Sequence, residues 1–270
     1  MQTEAYRITG FAAVVSALGF LLRWLQDLRI LDPETGLAAK GAPISVLVTL
    51  LIVFMAAALG GIAIYLGRCS APTAPEAALA THSFLHKVVN LAPAFLLAIG
   101  GAAQLLQANA ANWPESQVVI RRILGLVTLA GAYGDLLIAN GVQSKDKALS
   151  RRIGAGLMLL FAGLWLIAAY KSAASDPVIW RFAVEMLAIC AVLMAIYHLA
   201  GYFFEEPTPR RTIFYCYLGA FLCIMAAVDE HPLCESICYA AAALQLLAWG
   251  YTLTVNLRRP EDRIVKDTGI

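Results

Sequence analysis

Residues 43–66 read PISVLVTLLIVFMAAALGGIAIYL, an unbroken stretch without Asp, Glu, Lys, Arg or His. A membrane span takes about 20 mostly apolar residues, each rising 1.5 Å along a helix. This run is long enough to cross, and nothing in it could face water as a folded surface. Further apolar runs fall near 8–26, 88–107, 119–140, 153–171, 178–203, 212–228 and 235–257. Together they predict an all-α, polytopic integral membrane protein of about eight transmembrane helices in four helical hairpins. The fourth run is the weakest, because Arg121 and Arg122 open it and Asp135 lies inside it.

Composition agrees with this reading. Of 270 residues, 60% are hydrophobic and 14% charged, whereas a soluble domain carries about 25% charged residues. Too little charge remains to clothe a water-soluble surface, so the lipid bilayer is the first partner to expect. Eight spans consume roughly 160 residues. The rest suffices for short loops and small tails, so residues 1–270 read as a single transmembrane domain whose end, 258–270, is a short polar cytoplasmic tail. No basic cluster interleaves with aromatic residues, which sets nucleic acid aside. The first run resembles a signal peptide in following Arg7, but Arg23-Trp24-Leu25 comes directly after it without a small-residue cleavage site. It is expected to be a retained helix.

Orientation follows from the excess of Lys and Arg on cytoplasmic loops. With the N-terminus inside, thirteen of the 20 basic residues fall on the inner side, four of them in loop 141–152. Both termini are therefore expected in the cytoplasm. Compact loops and the lack of an Asn-x-Ser/Thr sequon point to a bacterial cytoplasmic membrane.

The outer connections share a plan. Pro43, Pro114, Pro177 and Pro232 precede or open the even-numbered spans, where a missing N–H costs nothing. Asn112, and Ser175 or Asp176, stand ready as caps. Gly19, Gly100, Gly163 and Gly219 lie in the odd-numbered spans, 24, 14, 14 and 13 residues before those prolines. This suggests one hairpin design repeated in the same orientation. The longer first loop holds Asp32-Pro33-Glu34-Thr35-Gly36, which is turn chemistry. On the inner side Thr73-Ala74-Pro75-Glu76 has capping-box spacing and should start a helix.

Charges inside lipid are costly and usually face the bundle interior. Arg122, Asp135, Glu185 and His198 stand out. An offset of 63 residues superimposes Pro114 on Pro177, Arg122 on Glu185, and Asp135 on His198. Two complementary pairs at two depths then point to a proton- or ion-linked site between the fourth and sixth spans. Asp135 and His198 would bind the ion, with Thr252 contributing from the eighth span. A structural reading competes with it. Asp135 lies near Asn140-Gly141 and could reach interfacial water, and Arg181 with Glu185 has i, i+4 spacing.

The second cluster is His231, Cys234 and Cys238. The two thiols are four residues apart and share a helix face, and with His231 they could hold zinc or copper. Inert thiols, or a disulfide joining Cys234 to Cys238 or, in competition, Cys223 to Cys234, are the alternatives. His82 and His86 have zinc-protease spacing but no Glu between them. No Walker loop, Gly-x-Ser-x-Gly or Ser–Lys dyad is present, and no cofactor is expected beyond that metal option. Three functions stay open: a transporter or channel-like protein for a small solute or ion, a non-catalytic scaffold, sensor or partner of other membrane subunits, and a metal or redox protein. An enzyme is the least supported class.

Overall fold

A computed structural model describes residues 2–29, 43–67, 69, 74–81, 84–110, 115–141, 147–173, 179–229 and 231–257. Among the described residues the chain is helical and has no strand. In order the helices are α1 (Gln2–Arg29), α2 (Pro43–Leu66), α3 (Pro75–Ala78), α4 (Phe84–Ala110), α5 (Glu115–Gly141), α6 (Ala148–Ala173), α7 (Ile179–Ala200), α8 (Pro209–Ala226) and α9 (Leu233–Val255). Seven of them are long and apolar enough to cross a membrane. The exceptions are α3, a single turn, and α8, whose 18 residues begin with Pro209, Arg210 and Arg211. Thr73, Pro114, Pro177, the loop at 30–42, His82 and the tail at 258–270 lie outside the described residues.

The outer surface is apolar. Val14, Leu50, Phe54, Ile64, Leu106 and Leu126 are among many large hydrophobic side chains left exposed. A water-soluble monomer seldom exposes a contiguous apolar face of this extent, whereas lipid welcomes one.

Six helices close a ring. Each of α4 to α9 packs on the next, and α9 returns to α4. The hairpin of α1 and α2 lies outside this ring, against α8, with α1 also touching α9. Helix α8 is thus enclosed by α1, α2, α7 and α9. Tyr217, Phe221, Cys223 and Met225 of α8 are fully buried. An enclosed helix meets neighbours rather than lipid, so it needs no continuous apolar outer face.

Glycines set how closely the ring helices approach. A Cβ on Gly134 of α5 would lie 2.6 Å from the carbonyl oxygen of Gly154 in α6, and the converse distance is 2.5 Å. Gly101 of α4 and Gly125 of α5 face each other in the same way at 3.0 and 3.1 Å. Backbones in such contact gain dispersion energy that lipid cannot replace. Of the four glycines aligned by the hairpin spacing, Gly19 meets Met225 and Phe221, Gly100 meets Cys238, and Gly219 meets Leu246, whereas Gly163 meets nothing within 4 Å.

At the end of the bundle holding the N-terminus, arginines bind the carbonyls that close three helices. Arg210 donates to Gly67 O after α2 (2.6 Å), Arg151 to Gly141 O of α5 (2.9 Å), and Arg152 to Phe203 O beyond α7 (3.0 Å). Helix C-termini carry partial negative charge and orphan carbonyls, and Arg satisfies both. Within the helices, Ser16, Thr128, Thr252 and Thr254 return their hydroxyls to the carbonyl four residues earlier at 2.6–2.8 Å, which removes a buried donor without a partner. Helix α3 does start at the expected place, though Thr73 of the capping box lies outside the described residues. Ala74 stands at its N-cap, Pro75 is its first residue, and the helix stops at Leu79.

Candidate functional site

Polar side chains recur at seven-residue intervals on two ring helices: Arg121, Thr128 and Asp135 on α5, and Cys238, Gln245 and Thr252 on α9. Seven residues are two turns, so each set forms one stripe with members about 10 Å apart. The stripes face each other beside α4, which adds His86, Asn90, Gln104 and Gln107.

The seam can be followed from the end opposite the N-terminus. Arg121 pairs with Glu235 (3.3 Å), and Cys234 Sγ donates to Gln107 Oε1 (3.1 Å). Next, the Thr128 hydroxyl, shared with Leu124 O (2.8 Å), reaches Gln104 Oε1 (3.2 Å), and Gln104 Nε2 lies 3.7 Å from Cys238 Sγ. Two turns deeper, with its amide assigned the orientation that satisfies both neighbours, Gln245 donates its N–H to Asp135 Oδ2 (2.8 Å) and accepts from the Trp249 indole N–H (2.6 Å). Finally Thr252 meets His86 Nε2 (2.7 Å). The Thr252 proton goes to Ala248 O (2.6 Å), so His86 must supply the proton between them and carries it on Nε2. A cavity of about 80 Å³ opens here, lined by Lys87, Asn90, Asn140, Trp249 and Thr252.

Asp135 is the exceptional member. It is 1% exposed, and among the described residues no basic group pairs with it. Its partner is the neutral amide of Gln245.

A second polar group occupies the opposite end. Glu185 of α7, 5% exposed, accepts from the Tyr239 hydroxyl (3.1 Å). His231 lies over the Tyr239 ring, centroids 5.1 Å apart, with Nδ1 3.7 Å from Glu235 Oε2. One ligating atom from each of Glu185, His231 and Glu235 falls within 4.8 Å of the others. Beside them is a cavity of about 170 Å³ whose walls include Arg121, Trp165, Ser172, Glu185 and Glu235.

The residues singled out by sequence are regrouped by these contacts. Asp135 meets Gln245, whereas His198 bonds Thr208 through Nδ1 (2.9 Å) and stacks on Tyr215 at the α7–α8 turn. Arg122 is exposed on α5 while Glu185 is buried against Tyr239. The Arg181 side chain lies outside the described residues. Thr252 does belong to the seam. Cys234 and Cys238 share a face, as their spacing requires, but it faces the glutamines of α4, and His231 turns instead to Glu235. All six cysteines are separate thiols. Sequence reading passed over Gln245, Trp249, Gln104, Thr128 and Glu235. The seven-residue recurrence of polar residues inside apolar runs was the available signal.

No protein-family model matches this chain, and no curated protein or solved structure matches it significantly.

Proposed function

We propose that this chain is a multi-pass membrane protein of the transporter or channel-like class. It binds or passes a small cation, protons included, along the seam between α4, α5 and α9, and Asp135 is the group that takes the charge. The observation that carries this reading is the near-complete burial of Asp135 beside a neutral amide. An ionised side chain within a span is costly, by up to about 2.5–3.5 kcal/mol at the centre on insertion scales, and such residues tend to lie on ion or proton paths. The seam replaces a site between the fourth and sixth spans. Asp135 remains the central acid, and Gln245 takes the place of His198 as its partner.

The reading includes eight crossings. Helix α8 spans about 27 Å at 1.5 Å per residue, close to the core thickness of about 30 Å, and its enclosure relaxes the need for an apolar surface. The arginine caps support a cytoplasmic location for the end that holds the N-terminus, in keeping with the positive-inside rule, and compact loops suit a bacterial cytoplasmic membrane. The burial of Gly19, Gly100 and Gly219 against neighbouring helices supports a repeated hairpin, in which Gly163 takes no part.

The test is cation flux into liposomes containing purified protein, read with pH-sensitive and ion-sensitive dyes inside the vesicles. Wild type should admit protons or one of Na⁺, K⁺ and divalent ions, and Asp135→Asn should abolish the flux while eluting as a folded protein. Equal flux in both proteins would remove Asp135 from the path. No flux in wild type would favour a non-catalytic subunit or scaffold.

A further inference from the structure

The polar group at the far end of the bundle shares the Arg121–Glu235 pair with the end of the seam but lies away from Asp135. Two carboxylates, Glu185 and Glu235, and one imidazole, His231, bring ligating atoms within 4.8 Å of one another. Like charges this close repel strongly where water is scarce. Arg121 sits on Oε1 of Glu235 (3.3 Å) and leaves Oε2 turned toward His231. Lys171 lines the adjoining cavity but has an exposed side chain.

His231 supplies the independent observation. Its side chain is 9% exposed, and its Nε2 is buried with no hydrogen-bond partner among the described residues. A buried polar atom left without a partner is costly, and such an atom in a folded protein calls for an explanation such as an ion. The ring is held against Tyr239, whose hydroxyl holds Glu185, so one tyrosine positions two of the three groups.

We propose that Glu185, His231 and Glu235 bind a divalent first-row transition-metal ion, with Zn²⁺ as the probe. One nitrogen and two carboxylate oxygens suit such an ion, at bond lengths of about 2.0–2.2 Å. Ligands around it stand roughly 3–3.5 Å apart, so small side-chain rotations close the present spacing. Three protein ligands leave a fourth position toward the cavity of about 170 Å³, the arrangement of a zinc ion that keeps water or substrate bound. The thiols of Cys234 and Cys238 take no part, because they face α4.

The test is Zn²⁺ binding to the purified full chain by titration calorimetry, together with X-ray absorption of the wild-type zinc complex. One ion should bind per chain with a nitrogen and oxygen shell near 2.0–2.1 Å and no sulfur at about 2.3 Å. His231→Ala and Glu185→Gln should each weaken binding by more than about 100-fold, beyond the loss typical of outer-shell changes. The double variant Cys234→Ser/Cys238→Ser and the seam variant Asp135→Asn should bind as wild type does. Absence of binding to wild type, a sulfur-containing shell, or unchanged affinity in the Glu185 and His231 variants would each overturn the assignment. The absorption measurement needs no variant, so misfolding of one cannot shield the proposal. Since Asp135→Asn is expected to bind zinc, failure of the seam and failure of this site are read separately.

Discussion

Gln245 of α9 holds Asp135 of α5 through a 2.8 Å hydrogen bond, joining two ring helices by an acid and a neutral amide. This single contact determines whether the buried acid has any donor.

Removing that donor should be costly. Gln245→Leu leaves the carboxyl buried and unsatisfied, and we expect a loss of about 1–3 kcal/mol. Asp135→Asn keeps an amide-to-amide bond and should change stability by less than about 1 kcal/mol. Equilibrium unfolding in mixed micelles measures both. Equal losses would mean that the bond is not what matters there.

The α5–α6 crossing predicts a different sensitivity. Gly134→Val drives its branches into the backbone of Gly154 and should cost at least the roughly 1–3 kcal/mol of an overpacked core. Gly163, with open space around it, should accept alanine at no cost, or gain about 0.5–1 kcal/mol from helix propensity. Comparable losses at the two positions would refute the close approach.

Glu205 sits at φ 66° after α7, in the turn that returns Glu206 N–H to Gly201 O (2.8 Å). A side chain in this left-handed region costs about 1–2 kcal/mol. Its ion pair with Arg152 is exposed and long, at 3.7 Å, and contributes little. Glu205→Gly should therefore stabilise the protein by about 1 kcal/mol. Gly201→Ala should destabilise it, since its Cβ would come within 2.6 Å of Glu206 O. Melting temperatures moving the other way would disprove the turn geometry.

Arg23 and Asp229 form a 2.8 Å pair with both side chains largely buried. Breaking one partner of such a pair leaves an uncompensated charge and costs about 3–5 kcal/mol, whereas replacing both by apolar groups is often neutral. Arg23→Leu alone should be severe, and Arg23→Leu with Asp229→Leu should recover most of the loss. A double-mutant cycle gives the coupling directly, and a value near zero would count against the pair.

Topology can be read by thiol labelling. In sealed cells, with the other cysteines replaced by serine, an impermeant maleimide should label Leu233→Cys without lysis and Cys69 only after permeabilisation. The reverse pattern would invert the protein.

Much of the architecture was legible because hydrophobicity reports depth. The run at 43–66 coincides with α2, and the other long helices extend past or stop within a few residues of their runs. Hydrophobicity fades at helix ends, where polar turns continue the helix into the interface, so 119–140 understates α5. Direction around the helix axis was not legible. An offset of 63 residues places Asp135 and His198 at one depth but cannot say which neighbour each faces. The same limit applies to α9, where Cys234 and Glu235 are adjacent in sequence yet about 100° apart around the helix. One faces α4 and the other the metal-ligating group.

The closing of the ring by α9 on α4 has a consequence for synthesis. Helix α5 is made more than a hundred residues before Gln245 exists, so Asp135 must enter the bilayer before its partner has been translated. During that interval α4 can meet Thr128 of the α5 stripe through Gln104, but Asp135 waits for its amide. The last helix to emerge thus acts as a latch on the order of assembly, and a ribosome that stops short of α9 releases a chain whose acid has no donor.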